Sequence, residues 1–164
     1  MLGGARSGKS AYGESLLAGG PALYLATGQA RDDEMAERIA LHRARRGAAW
    51  TTVEEPLDLA ATLDRALDPG RPVLVDCLTL WIANLMEAGR DIAPALNDLC
   101  AVLARPNGPV VLISNEVGLG LVPETALGRR FRDHQGVVNQ RVAAACSRVV
   151  FVAAGLPLVL KDAS

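Results

Sequence analysis

The chain has 164 residues, half of them apolar, with 17 Lys+Arg against 18 Asp+Glu and a formal charge of −1; this suits one compact globular domain spanning 1–164. A pI near 6.1 provides no basic field for gripping a phosphate backbone, so general nucleic-acid binding is excluded as an expectation. No apolar run reaches the roughly 18 residues of a membrane span, and the N-terminus lacks the pattern of a signal peptide, which points to a cytoplasmic protein. Cys77, Cys100 and Cys146 are odd in number and widely spaced, so they are read as small core residues rather than a disulfide framework or zinc site.

In chain order, Met1 and Leu2 lead directly into Gly3-Gly4-Ala5-Arg6-Ser7-Gly8-Lys9-Ser10, which satisfies the P-loop pattern G-x-x-x-x-G-K-[ST]. Such a loop normally hangs from a full buried strand; here either the first strand is a stub or the true start lies several residues upstream. A helix is expected over 9–18 and a strand over 22–26, followed by Thr27-Gly28-Gln29. The 32–46 segment reads as a helix, with Asp32-Asp33-Glu34 in its first turn and Arg43, Arg45 and Arg46 in its last, complementing the macrodipole at both ends. Further strands are expected at 51–54, 72–76, 109–114, 148–153 and 157–161. Helices are expected at 57–67, 78–88, 92–103 and 125–145, the last broken near Gln135-Gly136. Short Val/Ile/Leu-rich runs alternating with helix-length segments argue for an α/β, doubly wound, mostly parallel sheet with flanking helices.

The glycines let successive loop N–H groups turn towards one anion, and the following helix adds the positive end of its dipole. Lys9 would reach the β/γ-phosphates, and Ser10 would ligate Mg²⁺. Of the 17 basic residues only Lys9 and Lys161 are lysines; an arginine fork is too wide for such a loop. Val73-Leu74-Val75-Asp76 ends a strand in a carboxylate suited to hold Mg²⁺ directly or through water. His42 sits among the arginines at the border of the apolar stripe made by Met35 and Ile39. Its spacing alone favours a solvated basic helix end over the alternative, a neutral imidazole that attacks a phosphorus whose oxygens guanidinium groups hold. His134 reads as a surface helix residue without a role.

Taken in order, these motifs resemble the bifunctional adenosylcobinamide kinase/adenosylcobinamide-phosphate guanylyltransferase family of cobalamin biosynthesis. Besides the P-loop, the resemblance rests on Asp32-Asp33-Glu34-Met35 through His42-Arg43, on Val75-Asp76-Cys77-Leu78-Thr79-Leu80-Trp81, and on Ser114-Asn115-Glu116-Val117-Gly118-Leu119-Gly120-Leu121-Val122-Pro123-Glu124. Arg130-Phe131-Arg132-Asp133 and Asn139-Gln140-Arg141 extend it along essentially the whole chain. It implies a RecA-like P-loop fold and two reactions: phosphorylation of adenosylcobinamide by ATP or GTP, then transfer of GMP from GTP to that phosphate through a guanylylated histidine. His42 is the residue that matches that histidine. The implied nucleotide contacts are the P-loop, Thr27, Gly28 and Gln29, then Arg43, Ala44, Arg45 and Arg46, and Glu54 and Asp76. Ser10 and Asp76 remain the Mg²⁺ ligands expected from the motif, and a homotrimer is the assembly that the resemblance implies. The rival readings are a P-loop kinase of another small alcohol and a non-catalytic nucleotide-dependent assembly module. A Ras-like switch is disfavoured because the guanine motif N-K-x-D is missing.

Overall fold

The structure, a computed structural model, describes residues 1–29, 37, 40, 47, 49–105 and 108–163. Its strands are β1 (Leu2–Gly3), β2 (Ala22–Ala26), β3 (Trp50–Glu54), β4 (Val73–Asp76), β5 (Val110–Asn115), β6 (Arg148–Ala153) and β7 (Leu156–Asp162). They form a seven-stranded sheet in the order β3-β2-β4-β5-β1-β6-β7. All pairings are parallel except that of β6 with β7. The helices are α1 (Lys9–Leu16), α2 (Leu59–Ala66), α3 (Leu78–Glu87), α4 (Ile92–Leu103) and α5 (Ala126–Ala145). Glu37 and Ala40 are also helical; the rest of the expected 32–46 helix lies outside the described residues. Among the described residues no helix is long and apolar enough to cross a membrane.

The central strands are apolar on both faces because both faces are covered. Leu23, Leu25, Val73, Val75 and Leu112 point into a core shared with Leu59 and Leu63 of α2, Trp81 and Leu85 of α3, Leu96 and Leu99 of α4, and Val138 and Val142 of α5. The intervening residues Tyr24, Leu74 and Ile113 point to the opposite face, where α1 lies over β4 and β5. The two-residue side-chain period of a strand therefore sorts the sheet into an α1 face and a four-helix face. Gly13 brings α1 close to the sheet: a β-carbon there would stand 2.9 Å from Ile113 Cδ1 and 3.4 Å from Leu74 Cδ1.

Several boundaries differ from expectation for local reasons. The first strand spans two residues, held between β5 and β6 in register with Ser114–Asn115 and Phe151–Val152. The helix expected from 57 starts at Leu59 because Glu55 Oε1 accepts the N–H groups of Leu57 and Asp58, holding those residues in a turn. The break expected at Gln135-Gly136 does not occur, and α5 runs on for 20 residues. Gln135 is fully buried and fastened to β5, so tertiary contact carries the helix through a glycine that would weaken it in isolation. Cys77 is buried, whereas Cys100 and Cys146 are half-buried at the edge of the main core.

Trp81 is the largest fully buried side chain, and its Nε1 donates to Leu57 O at 2.9 Å, tying α3 to the loop before α2. Trp81→Ala is expected to lower the unfolding free energy by about 3–5 kcal/mol, measured by chemical denaturation followed by circular dichroism.

Candidate active site: a phosphate cradle at the strand ends

The Gly3–Ser10 segment passes from β1 into α1 through backbone conformations that favour glycine. Gly8 caps α1 at φ 95°, and Arg6 also has positive φ. No side chain caps α1, so its first-turn N–H groups face the loop, as an anion site requires. Lys9 is buried to 8 % exposure, and its Nζ donates to Gly4 O at 2.9 Å, folding the ammonium across the loop. The β6–β7 turn braces the loop from outside. Gly155 N donates to Ser7 O at 2.9 Å, and a β-carbon on Gly8 would meet Gly155 Cα at 3.2 Å. Glycine at both positions is what allows that approach.

Asp76 follows Leu74 by two, so the pleat turns its carboxylate to the α1 face. There Ser10 Oγ donates to Asp76 Oδ2 at 3.0 Å, and Tyr24 Oη donates to the same oxygen at 2.9 Å. The P-loop serine and the strand-end carboxylate, expected from sequence to share a site, are thus in direct contact. A hydroxyl and a carboxylate side by side are hard oxygen donors that match Mg²⁺, which is usually held by one or two protein ligands plus phosphate and water. Tyr24 was not anticipated as a site residue. Its one sequence signal is its place in β2, two residues before the strand's end and on the same face as Asp76.

Side chains from the other face fasten the ends of the strands. Thr27 Oγ1 donates to Cys77 O at 2.7 Å and accepts from Cys77 N at 2.9 Å. Its hydroxyl therefore splices β2 to β4. Asn84 Nδ2 donates to Thr27 O at 2.8 Å and to Pro56 O at 3.1 Å, and Thr79 Oγ1 accepts from Asn115 N at 2.8 Å. A single helix, α3, thereby holds the ends of β2 and β5 and the turn after β3. Burial, reinforced by the Asp76 carboxylate, pushes the Cys77 thiol up to about 11; it is neutral near pH 7 and no nucleophile there.

Glu54 ends β3 in register with Ala26, which is itself in register with Asp76. The two carboxylates stand two strands apart on one face, about 10 Å at the usual strand spacing. Gly28 and Gln29 follow the buried Thr27 on the same rim. His42, Arg43, Ala44, Arg45 and Arg46 lie outside the described residues. The 115–124 loop leaves β5 beside Gly3, and it carries Leu119, Leu121 and Val122 at 82 %, 95 % and 64 % exposure. His134 is exposed on α5, as expected. Among the described residues no group of three or more His, Cys, Asp or Glu gathers to hold a metal by itself.

Thr27→Val keeps the shape of the side chain but strands the Cys77 amide N–H, whose partner is Thr27 Oγ1. It is expected to cost about 1–3 kcal/mol, read as a lower denaturation midpoint.

The family model described as cobinamide kinase / cobinamide phosphate guanyltransferase matches residues 1–160. Among similar proteins, the bifunctional adenosylcobalamin biosynthesis protein CobP of Pseudomonas aeruginosa is 50% identical over 165 residues, covering 98% of this chain and 95% of that protein. The CobU proteins of Escherichia coli and Salmonella typhimurium, bearing the same bifunctional description, are 41% and 42% identical over 177 and 179 residues, with 98% of each chain covered. The P-loop, the Ser10–Asp76 contact and these matches along nearly the whole length agree: the chain belongs to the cobinamide kinase / cobinamide phosphate guanyltransferase family.

Proposed function

We propose that this chain, as a single domain, phosphorylates the aminopropanol hydroxyl of adenosylcobinamide with ATP or GTP, then transfers GMP from GTP to that phosphate to give adenosylcobinamide-GDP. The observation that carries the reading is the contact of Ser10 Oγ with Asp76 Oδ2 at 3.0 Å beside the loop spanned by Lys9. It gathers in one place the anion cradle, the cation and the carboxylate that phosphoryl transfer needs.

In the kinase step, backbone N–H groups of Gly4, Ala5, Arg6, Ser7 and Gly8 and the first turn of α1 hold the polyphosphate. Gly3, through its close packing, sets where the loop begins. Lys9 moves its ammonium from Gly4 O onto the β/γ-phosphates. Ser10 and Asp76 are the residues that would hold Mg²⁺, which neutralises phosphate charge when bound. The acceptor oxygen attacks the γ-phosphorus, the bond to the β-phosphate oxygen breaks, and the nucleoside diphosphate leaves with that electron pair.

In the second reaction, His42 attacks the α-phosphorus of GTP and pyrophosphate leaves. The phosphate of the corrinoid then displaces the imidazole and takes the GMP. Splitting the transfer avoids a direct encounter between two polyanions. Arg43, Arg45 and Arg46, with Ala44 between them, surround the phosphorus that His42 attacks, and their guanidinium groups balance its charge. Gly28, Gln29 and the Thr27 backbone border the nucleotide, and Glu54 accepts N–H or O–H donors of base or ribose. The 115–124 loop, at the strand ends where open α/β sheets bind ligands, meets corrinoid or nucleotide. Assembly as a homotrimer follows the family, and the exposed Leu156, Leu158 and Leu160 of the outer strand β7 offer apolar surface for such contacts. Reactions fed by ATP and GTP belong in the cytoplasm.

Two variants test this reading. Lys9→Ala is expected to lower kinase turnover on the order of a hundredfold or more, and to impair GMP transfer as well; near-wild-type turnover would remove the loop as the phosphate site. His42→Ala is expected to abolish GMP transfer while retaining kinase activity. Wild-type protein given α-labelled GTP should keep the label through denaturation in a bond stable to base and cleaved by acid, and γ-label should not persist. An acid-stable adduct, or GMP transfer by His42→Ala at the wild-type rate, rules out His42 as the nucleophile.

A further inference from the structure

β5 lies between the strand that feeds the P-loop and the strand that ends in Asp76, and its last residue is Asn115. Asn115 is in register with Gly3, and Glu116 N donates to Gly3 O at 3.0 Å. Along β5, Leu112 faces the four-helix core and Ile113 faces α1. Ser114 returns to the helix face, where its Oγ donates to Asn139 Oδ1 at 2.7 Å and accepts from Gln135 Nε2 at 2.8 Å. The pleat accordingly turns the Asn115 carboxamide to the α1 face, the face of Asp76 and the P-loop.

The main chain of Asn115 is fully engaged. Its N–H donates to Thr79 Oγ1 at 2.8 Å, and its C=O accepts from Asn139 Nδ2 at 3.1 Å. Asn139 is in turn held by Gln135 Nε2 at 2.9 Å. The side-chain oxygen is different: Asn115 Oδ1 is buried and has no hydrogen-bond partner. A buried acceptor left unmatched costs stability, and three residues of α3 and α5, Thr79, Gln135 and Asn139, fix the backbone that presents it. A second buried oxygen without a partner, Ser7 Oγ, lies against the same Gly3, 2.7 Å from where a β-carbon would stand.

We propose that Asn115 is a catalytic residue of the phosphoryl transfer, its Oδ1 accepting a hydrogen bond from the hydroxyl of the acceptor alcohol and so aiming that oxygen at the γ-phosphorus. The proposal rests on the kinase reading above. A carboxamide oxygen carries partial negative charge and repels phosphoryl oxygens, so the partner that completes it is a donor. The donor that must come within bonding reach of the γ-phosphorus is the acceptor O–H. Asn115 holds that group and does not deprotonate it, since a carboxamide is no base at neutral pH. As the new P–O bond forms and the bond to the leaving diphosphate breaks, the hydroxyl proton is released to solvent. Alignment of this kind is worth on the order of a hundredfold in rate when a reacting atom is misplaced by about 1 Å.

Because the fastening network uses only the main chain of Asn115, Asn115→Ala leaves those hydrogen bonds in place and is expected to fold with an unchanged denaturation midpoint. With ATP and adenosylcobinamide, its kcat for phosphoryl transfer should fall at least tenfold. ATP affinity, measured by titration calorimetry, and the rate of labelling from α-labelled GTP should stay at wild-type values, since neither involves the acceptor alcohol. An unchanged kcat overturns the proposal. So does a parallel loss of ATP affinity, GTP labelling and turnover, which would make Asn115 part of the nucleotide cradle or of the fold. Failure of the wild-type protein itself to phosphorylate the corrinoid refutes the kinase reading, and this proposal with it.

Discussion

A hydrogen bond of 3.0 Å from Ser10 Oγ to Asp76 Oδ2 joins two residues 66 positions apart, and the sheet is arranged so that it can form. Ser10 stands in the first turn of α1, so α1 must lie on the face to which Asp76 points. That face is chosen by parity: Tyr24, Leu74 and Ile113 form its apolar floor, and Asp76 and Asn115 continue the same rows beyond it. A shift of one residue in β4 would send Asp76 into the four-helix core, where an unpaired carboxylate costs several kcal/mol. Burial of both faces of β4 removes that freedom.

The two faces of the sheet do different work at its C-terminal edge. The α1 face carries Lys9, Ser10, Tyr24 and Asp76, groups suited to phosphate and its counter-ions, and beside them the carboxamide of Asn115. The opposite face supplies polar side chains that end in the protein itself. Thr79 and Asn84 of α3 and Gln135 and Asn139 of α5 all bond to strand ends or to each other, and Thr27 splices β2 to β4. Strands that end at a site leave main-chain donors and acceptors without a ladder partner, and side chains from the packed face satisfy them. The rim is thereby held without drawing on the side chains of the α1 face.

The P-loop is braced from a third direction by the antiparallel pair β6 and β7. The β6–β7 turn has Ala154 and Gly155 at positive φ, the geometry of a tight two-residue hairpin. Its Gly155 N–H is bonded to Ser7 O. With β1 only two residues long, this contact and the register of β1 with β5 and β6 hold the loop where a longer strand would otherwise do so.

The sequence by itself determined the chemistry and its order along the chain. The run from Gly3 to Ser10 and the Asp76 strand end were legible because each is local: a loop that must curl needs glycine, and an apolar strand that ends in an acid announces its end. The α/β class was legible because strands buried on two faces leave near-continuous apolar runs. Tertiary structure alone decided which of these residues meet. The Ser10–Asp76 contact depends on the placement of β5 between the two strands, which no local pattern encodes. The fixing of Thr27 on Cys77, the continuity of α5 through Gly136, and the burial of Asn115 Oδ1 without a partner likewise arise from side chains distant in sequence. A polar residue declares its type in the sequence, but whether its hydrogen bonds are spent on the protein or left for a substrate is settled only by what is packed against it.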